Sequence, residues 1–287
     1  MDTAELLKKV RKIEIKTRGL SRNLFAGDYH STFKGRGMSF SEVRTYQYGD
    51  DVRNIDWNVT ARSNDTHVKT YEEEREMTMM LLVDMSNSAF FGSDKLKNDV
   101  ITEISAVLAF SAIQNNDKVG VIFFSDRIEK FVPPKKGKRH ILLIIRELID
   151  FQPQGKGTNL AAALKYLNNV SKKKTIAFLI SDFIDKGYDD ALRTTARRHD
   201  LIGIRLHDRN EQTLPDVGLI HTHDAETGQK VWLDTSNKNI RLRYTQFYDE
   251  RFAYFKNTFL KAGADAFSVS TAEKEYVNAL HRFFKAR

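Results

Sequence analysis

The chain has no cysteine, and its 287 residues include only four prolines and two tryptophans. The missing cysteine excludes disulfides, thiolate zinc sites and thiol catalysis together. No run of about eighteen apolar residues occurs, so no segment reads as a membrane-spanning helix. The stretch MDTAELLKKVRKIEIKTRGL has no apolar core and no small-residue cleavage site, and so does not read as a secretory signal. The expected location is cytoplasmic, peripheral at a membrane only through partners. A G-x-S-x-G elbow is absent, which argues against serine hydrolysis. A Walker A motif is absent too, so any ATP hydrolysis would belong to a partner.

What is there begins with charge. The formal net charge is +8, unevenly placed. Residues 130–174 hold eleven Lys or Arg against two acids, a net +9, which leaves the rest of the chain near neutral. Such a zone implies an acidic or nucleic-acid partner, or simply a solvated face. It lacks interleaved aromatics and any recognisable nucleic-acid module.

From residue 79 onward, buried-strand patterns alternate with helical ones. MMLLVD, VGVIFF, TIAFLI and LIGIRL are continuous apolar runs of strand length. Helical periodicity marks residues 95–115, with Leu96, Val100, Ile104, Val107 and Leu108 on one face, then 138–151, 159–170 and 188–199. RIEKFV reads as a short edge strand stopped by Pro133 and Pro134. GLIHTHDAETGQKVWLD alternates with period two around Thr227-Gly228 and reads as a hairpin. A long helix then runs from about Asn239 to Ala262, stopped by Gly263, and a short strand, AFSVS, follows. Thr271 begins a terminal helix with Tyr276, Leu280 and Phe283/Phe284 inward. The expected fold is α/β: a doubly wound, mostly parallel sheet over residues 78–287, with a hairpin insertion at about 208–236. Residues 1–77, with Gly35, Gly37 and Gly49 among short aromatic stretches, read as an irregular, strand-rich annex.

The run LLVDMSNS raises the question of function. Ligands of open α/β sheets sit outside the carboxyl ends of the strands, where strand order reverses. Asp84 ends the first main strand, and Asp182 ends a later one in LISDF. If those strands are neighbours, the two carboxylates face one crevice and repel unless a cation lies between them. Ser86 and Ser88, two apart in an extended loop, can aim oxygens at one point. QGKGTNLAAAL offers Thr158 at a helix start. Two carboxylates and three hydroxyls, without sulfur or imidazole, suit a hard cation such as Mg²⁺ or Mn²⁺. Taken singly, Ser86 and Ser88 could satisfy loop backbone, and Thr158 could cap a helix.

The joint pattern, Asp-x-Ser-x-Ser, Gly-Thr before a helix, and Asp after a later strand, resembles the metal-ion-dependent adhesion site of von Willebrand factor A domains. The resemblance implies that Asp84, Ser86, Ser88, Thr158 and Asp182 hold the ion. The three hydroxyls would bind directly and the carboxylates mainly through water, leaving one position for a partner's carboxylate. FKGRGMSFSEVRTYQYGDDVRNIDWNVTAR, residues 33–62, is similar to the signature of domain of unknown function family fifty-eight, with Gly49–Trp57 as its core. That resemblance implies a non-enzymatic adaptor or co-chaperone. Its partners would be a MoxR-type AAA+ ATPase or sister A-domain proteins. Arg44, Gly49, Asp50, Arg53, Asp56, Trp57 and Arg62 are expected to form a structural signature of ion pairs, with Trp57 packed on the main domain; the rival is a second partner-binding face. Lys135, Lys136, Lys138, Arg139 and Lys156 are expected near the ion, steering an acidic partner. The enzymatic alternative is a Mg²⁺-dependent phosphatase. Its general acid would stand at position 86, where Ser86 cannot protonate a leaving group. His221 and His223 could share a metal, but no acid or third histidine is spaced to complete that site.

Overall fold

The computed structural model describes residues 10–14, 39–63, 65–72, 77–90, 96–208, 211–223, 230–271 and 275–287. The chain forms two compact units, one of Tyr29–Met77 and one of Met1–Asp28 with Thr78–Arg287. Gly35, Gly37, Thr227-Gly228 and the start of the terminal helix lie outside the described residues.

In the smaller unit, β1 (Ser39–Thr45) pairs antiparallel with β2 (His67–Glu72), and α1 (Trp57–Ser63) lies between them in sequence. Arg44 holds Asp50 through two hydrogen bonds of 2.7 and 2.8 Å. Asp50 also accepts from Gln47 N, which closes the turn at Gly49, where φ is +107°. Asp56 accepts from the Asn58 and Val59 amides at the start of α1 and pairs with Lys69 at 3.4 Å. Thus the signature carboxylates do fix backbone. Arg53 and Arg62 are exposed and form no ion pair among the described residues. Trp57 is 69% exposed.

The larger unit is built on a six-stranded sheet in the order β10-β7-β6-β3-β4-β5. Its strands are β3 (Thr78–Asp84), β4 (Lys118–Phe124), β5 (Ile128–Lys135), β6 (Ile176–Ser181), β7 (Asp200–His207) and β10 (Asp265–Ser270). All pairings are parallel except β4 with β5. The chain starts in the middle at β3, winds outward to β5, then returns to β6 on the other side. Strand order therefore reverses between β3 and β6. β8 (Leu219–His223) and β9 (Lys230–Asp234) form the separate hairpin. Both faces of the sheet are covered, which is why its strands read as unbroken apolar runs. Met80, Leu82, Ile122, Ala177 and Leu179 meet α4 (Leu160–Val170), α5 (Asp189–Arg198) and α6 (Lys238–Ala262) in one apolar core. On the other face, Phe178 meets Phe284 of α7 (Glu275–Ala286), and Phe123 stacks on Phe151 after α3 (Lys138–Asp150).

Two local expectations change. β5 does not stop before Pro133 but runs on to Lys135. It is an edge strand, and a bulge between its Val132 and Lys135 pairings absorbs both prolines without losing a needed N–H. Leu96 is 42% exposed, because it precedes α2 (Lys97–Gln114) rather than joining its inner face. At the far end of α6, Gly263 takes the left-handed conformation (φ +66°) that closes the helix.

Candidate metal centre

Asp84 is the last residue of β3 and only 2% exposed. Alternation along the strand puts it on the same face as Met80 and Leu82. Its Oδ1 accepts from the Ser86 amide at 2.9 Å. Its Oδ2 accepts from Ser181 Oγ at 2.6 Å and from Thr158 Oγ1 at 3.4 Å. Three chain segments thus converge on one carboxyl group. No ammonium or guanidinium lies within ion-pair distance of Asp84 among the described residues.

The loops that bring these groups are tied to each other. Ser86 and Ser88 hydroxyls lie 2.9 Å apart, but the loop is not extended as expected: Asn87–Phe90 form a 3-10 helix, and this tight turn brings the two together. Asn87 N donates to the Lys156 carbonyl at 3.2 Å, joining that loop to the one carrying Thr158. Glu129 fixes the second loop by accepting from Gly155 N at 2.7 Å and Gln154 N at 3.2 Å. A Cβ at position 155 would fall 2.2 Å from Ser125 Oγ, so any larger residue there would have to displace the Ser125 and Asp126 side chains. Thr158 is not the cap of α4. That role belongs to Asn159, whose side chain accepts from Ala162 N. The threonine hydroxyl is therefore left to turn toward Asp84.

Asp182 follows β6, the strand beside β3, and is 6% exposed. One of its oxygens accepts from Ile184 N, and the other lies 3.2 Å from Lys97 Nζ. Lys97 is 1% exposed and also reaches Glu211 at 2.5 Å. Burial alone would lower its pKa, but Asp182 and Glu211 outweigh burial and hold it above the ordinary lysine value. The two neighbouring carboxylates therefore differ. Asp182 has an internal cation, whereas Asp84 has only hydroxyls and an amide. Burial, and next the charge of Asp182, push the Asp84 carboxyl up to about 7.

This donor set fits a hard divalent cation. Asp84, Ser86, Ser88, Thr158 and Asp182 all bring oxygen. Among the described residues no group of three or more His, Cys, Asp or Glu could hold a metal, which sets this hydroxyl-rich centre apart from a carboxylate cage. Position 86, where a phosphatase would need its acid, carries a hydroxyl turned to Ser88.

Other expected residues lie elsewhere. Lys135 pairs with Val119 at the amino end of β4, while Asp84 pairs with Phe124 at its carboxyl end. Lys135, Lys136, Lys138 and Arg139 consequently stand at the opposite end of the sheet, about 17 Å or more away along the strands. Because β5 runs antiparallel, residues close to Thr158 in sequence are carried far from it in space, and these four cannot flank the candidate ion. Lys138 pairs with Glu14 instead. Only Lys156 adjoins the site, through its carbonyl. His221 is exposed, with its ring 4.8 Å from that of Trp232. The side chain of His223 lies outside the described residues.

Two residues of the site are missing from the sequence reading. Ser181 was detectable, because it directly precedes Asp182 at a strand end, and pairing of Val83 with Ile180 sets it beside Asp84. Lys97 carries no local signal. It sits among charged residues at a helix start and is buried only by partners 85 and 114 positions away.

Among the described residues no helix is long and apolar enough to cross a membrane. The chain is 31% identical over 232 residues to the uncharacterized protein Rv1480 of Mycobacterium tuberculosis, covering 79% of this chain and 73% of the relative. Two solved structures are more remote. The conserved hypothetical protein BatB of Bacteroides thetaiotaomicron is 13% identical, with a TM-score of 0.47, over 73% of this chain and 98% of that one. An aerotolerance-related membrane protein of Bacteroides fragilis, solved with multiple mutations to serine, is 14% identical, with a TM-score of 0.49, over 74% and 100%. Residues 42–253, most of the chain, match the family described as Protein of unknown function DUF58, and the protein belongs to that family.

Proposed function

We propose that this protein is a non-enzymatic, divalent-metal-dependent interaction module. Asp84, Ser86, Ser88, Thr158 and Asp182 would hold Mg²⁺ or Mn²⁺. The bound ion would supply an electrophilic bridge to a carboxylate of a protein partner. The partner would be a MoxR-type AAA+ ATPase or a sister A-domain protein. The observation that carries this reading is the convergence of Ser86, Thr158 and Ser181 on one buried carboxyl group that has no cationic side chain beside it. A buried carboxylate of that kind is costly, and a cation relieves the cost. Hydroxyl donors add no negative charge, so an ion held by them keeps its appetite for one more carboxylate. The pair Lys97–Asp182 supports the same reading, because it fixes the second carboxylate without engaging Asp84.

The test is capture of a co-expressed MoxR-type ATPase by the tagged full-length chain. Capture should occur with Mg²⁺, and should fail with chelator and with Ser86→Ala/Ser88→Ala. Equal capture under all three conditions would overturn the metal-dependent reading.

A further inference from the structure

Beside the candidate ion, on the far side of Asp182, lies a cleft of about 120 Å³. The ends of β6 and β7 form one wall, through Asp182, Ile184 and Arg205. The other wall is α6, whose Tyr244, Phe247, Tyr248 and Arg251 fall at helical spacing on one face. Its volume is well below the roughly 300 Å³ of sites for drug-sized ligands, so it suits the end of a side chain.

The charges are what single it out. Arg205 is 4% exposed. Its guanidinium lies 4.8 Å from the Tyr248 ring centre and 5.0 Å from that of Phe252. Its hydrogen bonds go to the Asp182 carbonyl at 3.3 Å and the Tyr248 hydroxyl at 3.2 Å, both neutral acceptors. Arg251 donates to the Ile184 carbonyl and lies over Phe247. Neither guanidinium meets a carboxylate among the described residues. The two carboxylates that line the cleft, Asp182 and Glu211, are both taken by Lys97. Three cations against two carboxylates leave one positive charge. Buried charges are ordinarily paired, and a planar guanidinium is shaped for a carboxylate.

We infer that this cleft is a carboxylate subsite, taking an Asp or Glu side chain of the partner. Phe247 and Tyr244 cover the methylenes of that side chain while Arg205 and Arg251 meet its charge. Asp182 borders both the cleft and the candidate ion. A partner segment with two nearby acidic residues could therefore fill both, one on the metal and one on the arginines. This second step rests on the proposed function; the cleft's preference for a carboxylate does not.

The experiment uses ¹⁵N-labelled full-length protein and acetate as the probe, with acetamide as the uncharged control and chelator present. Acetate should shift the Arg205 and Arg251 Nε–H signals and the Ile184 and Tyr248 amides, and acetamide should not. Arg251 stands at the rim, so Arg251→Gln tests the cleft without emptying the core, and it should weaken the acetate response several-fold. No acetate-specific shift, or an unchanged response in Arg251→Gln, overturns the inference. With Mg²⁺ added, Ac-Asp-Gly-Glu-NH₂ should bind about tenfold or more tighter than Ac-Asp-Gly-Gln-NH₂, and Arg251→Gln should erase that difference. Acetate shifts in a protein that binds no Mg²⁺ would sink the ion bridge and keep the cleft. Mg²⁺ binding without acetate shifts would do the reverse.

Discussion

The two ends of the central sheet carry charge in opposite ways. At the amino end, Lys135 and Arg139 are solvated, and Lys138 makes a surface pair with Glu14. At the carboxyl end, Asp84, Asp182 and Lys97 are almost wholly buried, each with named partners. The amino end supplies much of the visible positive charge of the sequence, yet screened charges in water contribute little. The charges of the carboxyl end are largely buried, and low dielectric makes each one matter. Burial, more than the count of charges, decides where the chemistry is.

The largest effect expected from breaking this contrast is at Lys97. Lys97→Met would remove the buried ion-pair partner shared by Asp182 and Glu211, and should cost about 3–5 kcal/mol in urea unfolding. A loss under about 1 kcal/mol would mean that the buried pair is not what holds this corner.

Next is Asp84. Its carboxyl is raised on folding, so it favours the folded state at pH below its unfolded value and loses that contribution as pH climbs through about 7. With chelator present, the wild type should lose stability relative to Asp84→Asn between roughly pH 4 and 7. At pH 8 the Asn variant should be the more stable by about 2 kcal/mol, about half of the roughly 4 kcal/mol the shift implies, because the amide gives up an acceptor position. Thermal melts across pH would read this directly, and parallel curves for the two proteins would contradict it.

A finer contrast lies between adjacent residues. Asn159→Ala removes the cap of α4 and should cost about 1 kcal/mol while leaving Mg²⁺ affinity alone. Thr158→Val should do the opposite, lowering Mg²⁺ affinity with little change in unfolding. Calorimetry and urea titration on the pair would separate the two roles, and matched behaviour would merge them.

The smallest effect belongs to the amino end. Reversing Lys135, Lys136 and Lys138 to Glu should change stability by under about 0.5 kcal/mol per site and leave Mg²⁺ affinity unmoved. A clear fall in Mg²⁺ affinity would bring that end of the sheet back into the site.

These outcomes also mark what the sequence could and could not convey. Asp84 and Asp182 were legible because buried parallel strands are unbroken apolar runs, and a carboxylate that ends one stands out. Ser86 and Ser88 were legible as hydroxyls two apart after a strand end and Thr158 as a hydroxyl before a helix, although the first loop closes into a 3-10 helix at Asn87–Phe90 instead of staying extended. The reversal of strand order was inferable, because alternating strands and helices leave few ways to wind. Arg205 did carry a signal, since it stands inside the apolar run LIGIRL, but its partners on the long helix did not. Lys97 was not legible, because it looks like an ordinary surface cation until distant segments close over it. The basic zone misled for the same reason, since one antiparallel edge strand sends its end to the far side of the sheet. Pro133 and Pro134 looked like a stop signal because sequence does not say which strand is an edge.

The most direct measurement is Mg²⁺ binding by calorimetry at pH 8, where Asp84 is ionised, on wild type and on Ser86→Ala/Ser88→Ala. The account predicts binding by the wild type and a loss of more than about tenfold in the variant, with the same circular dichroism spectrum. Equal binding by both folded proteins, or none by either, would contradict a metal centre built on these hydroxyls.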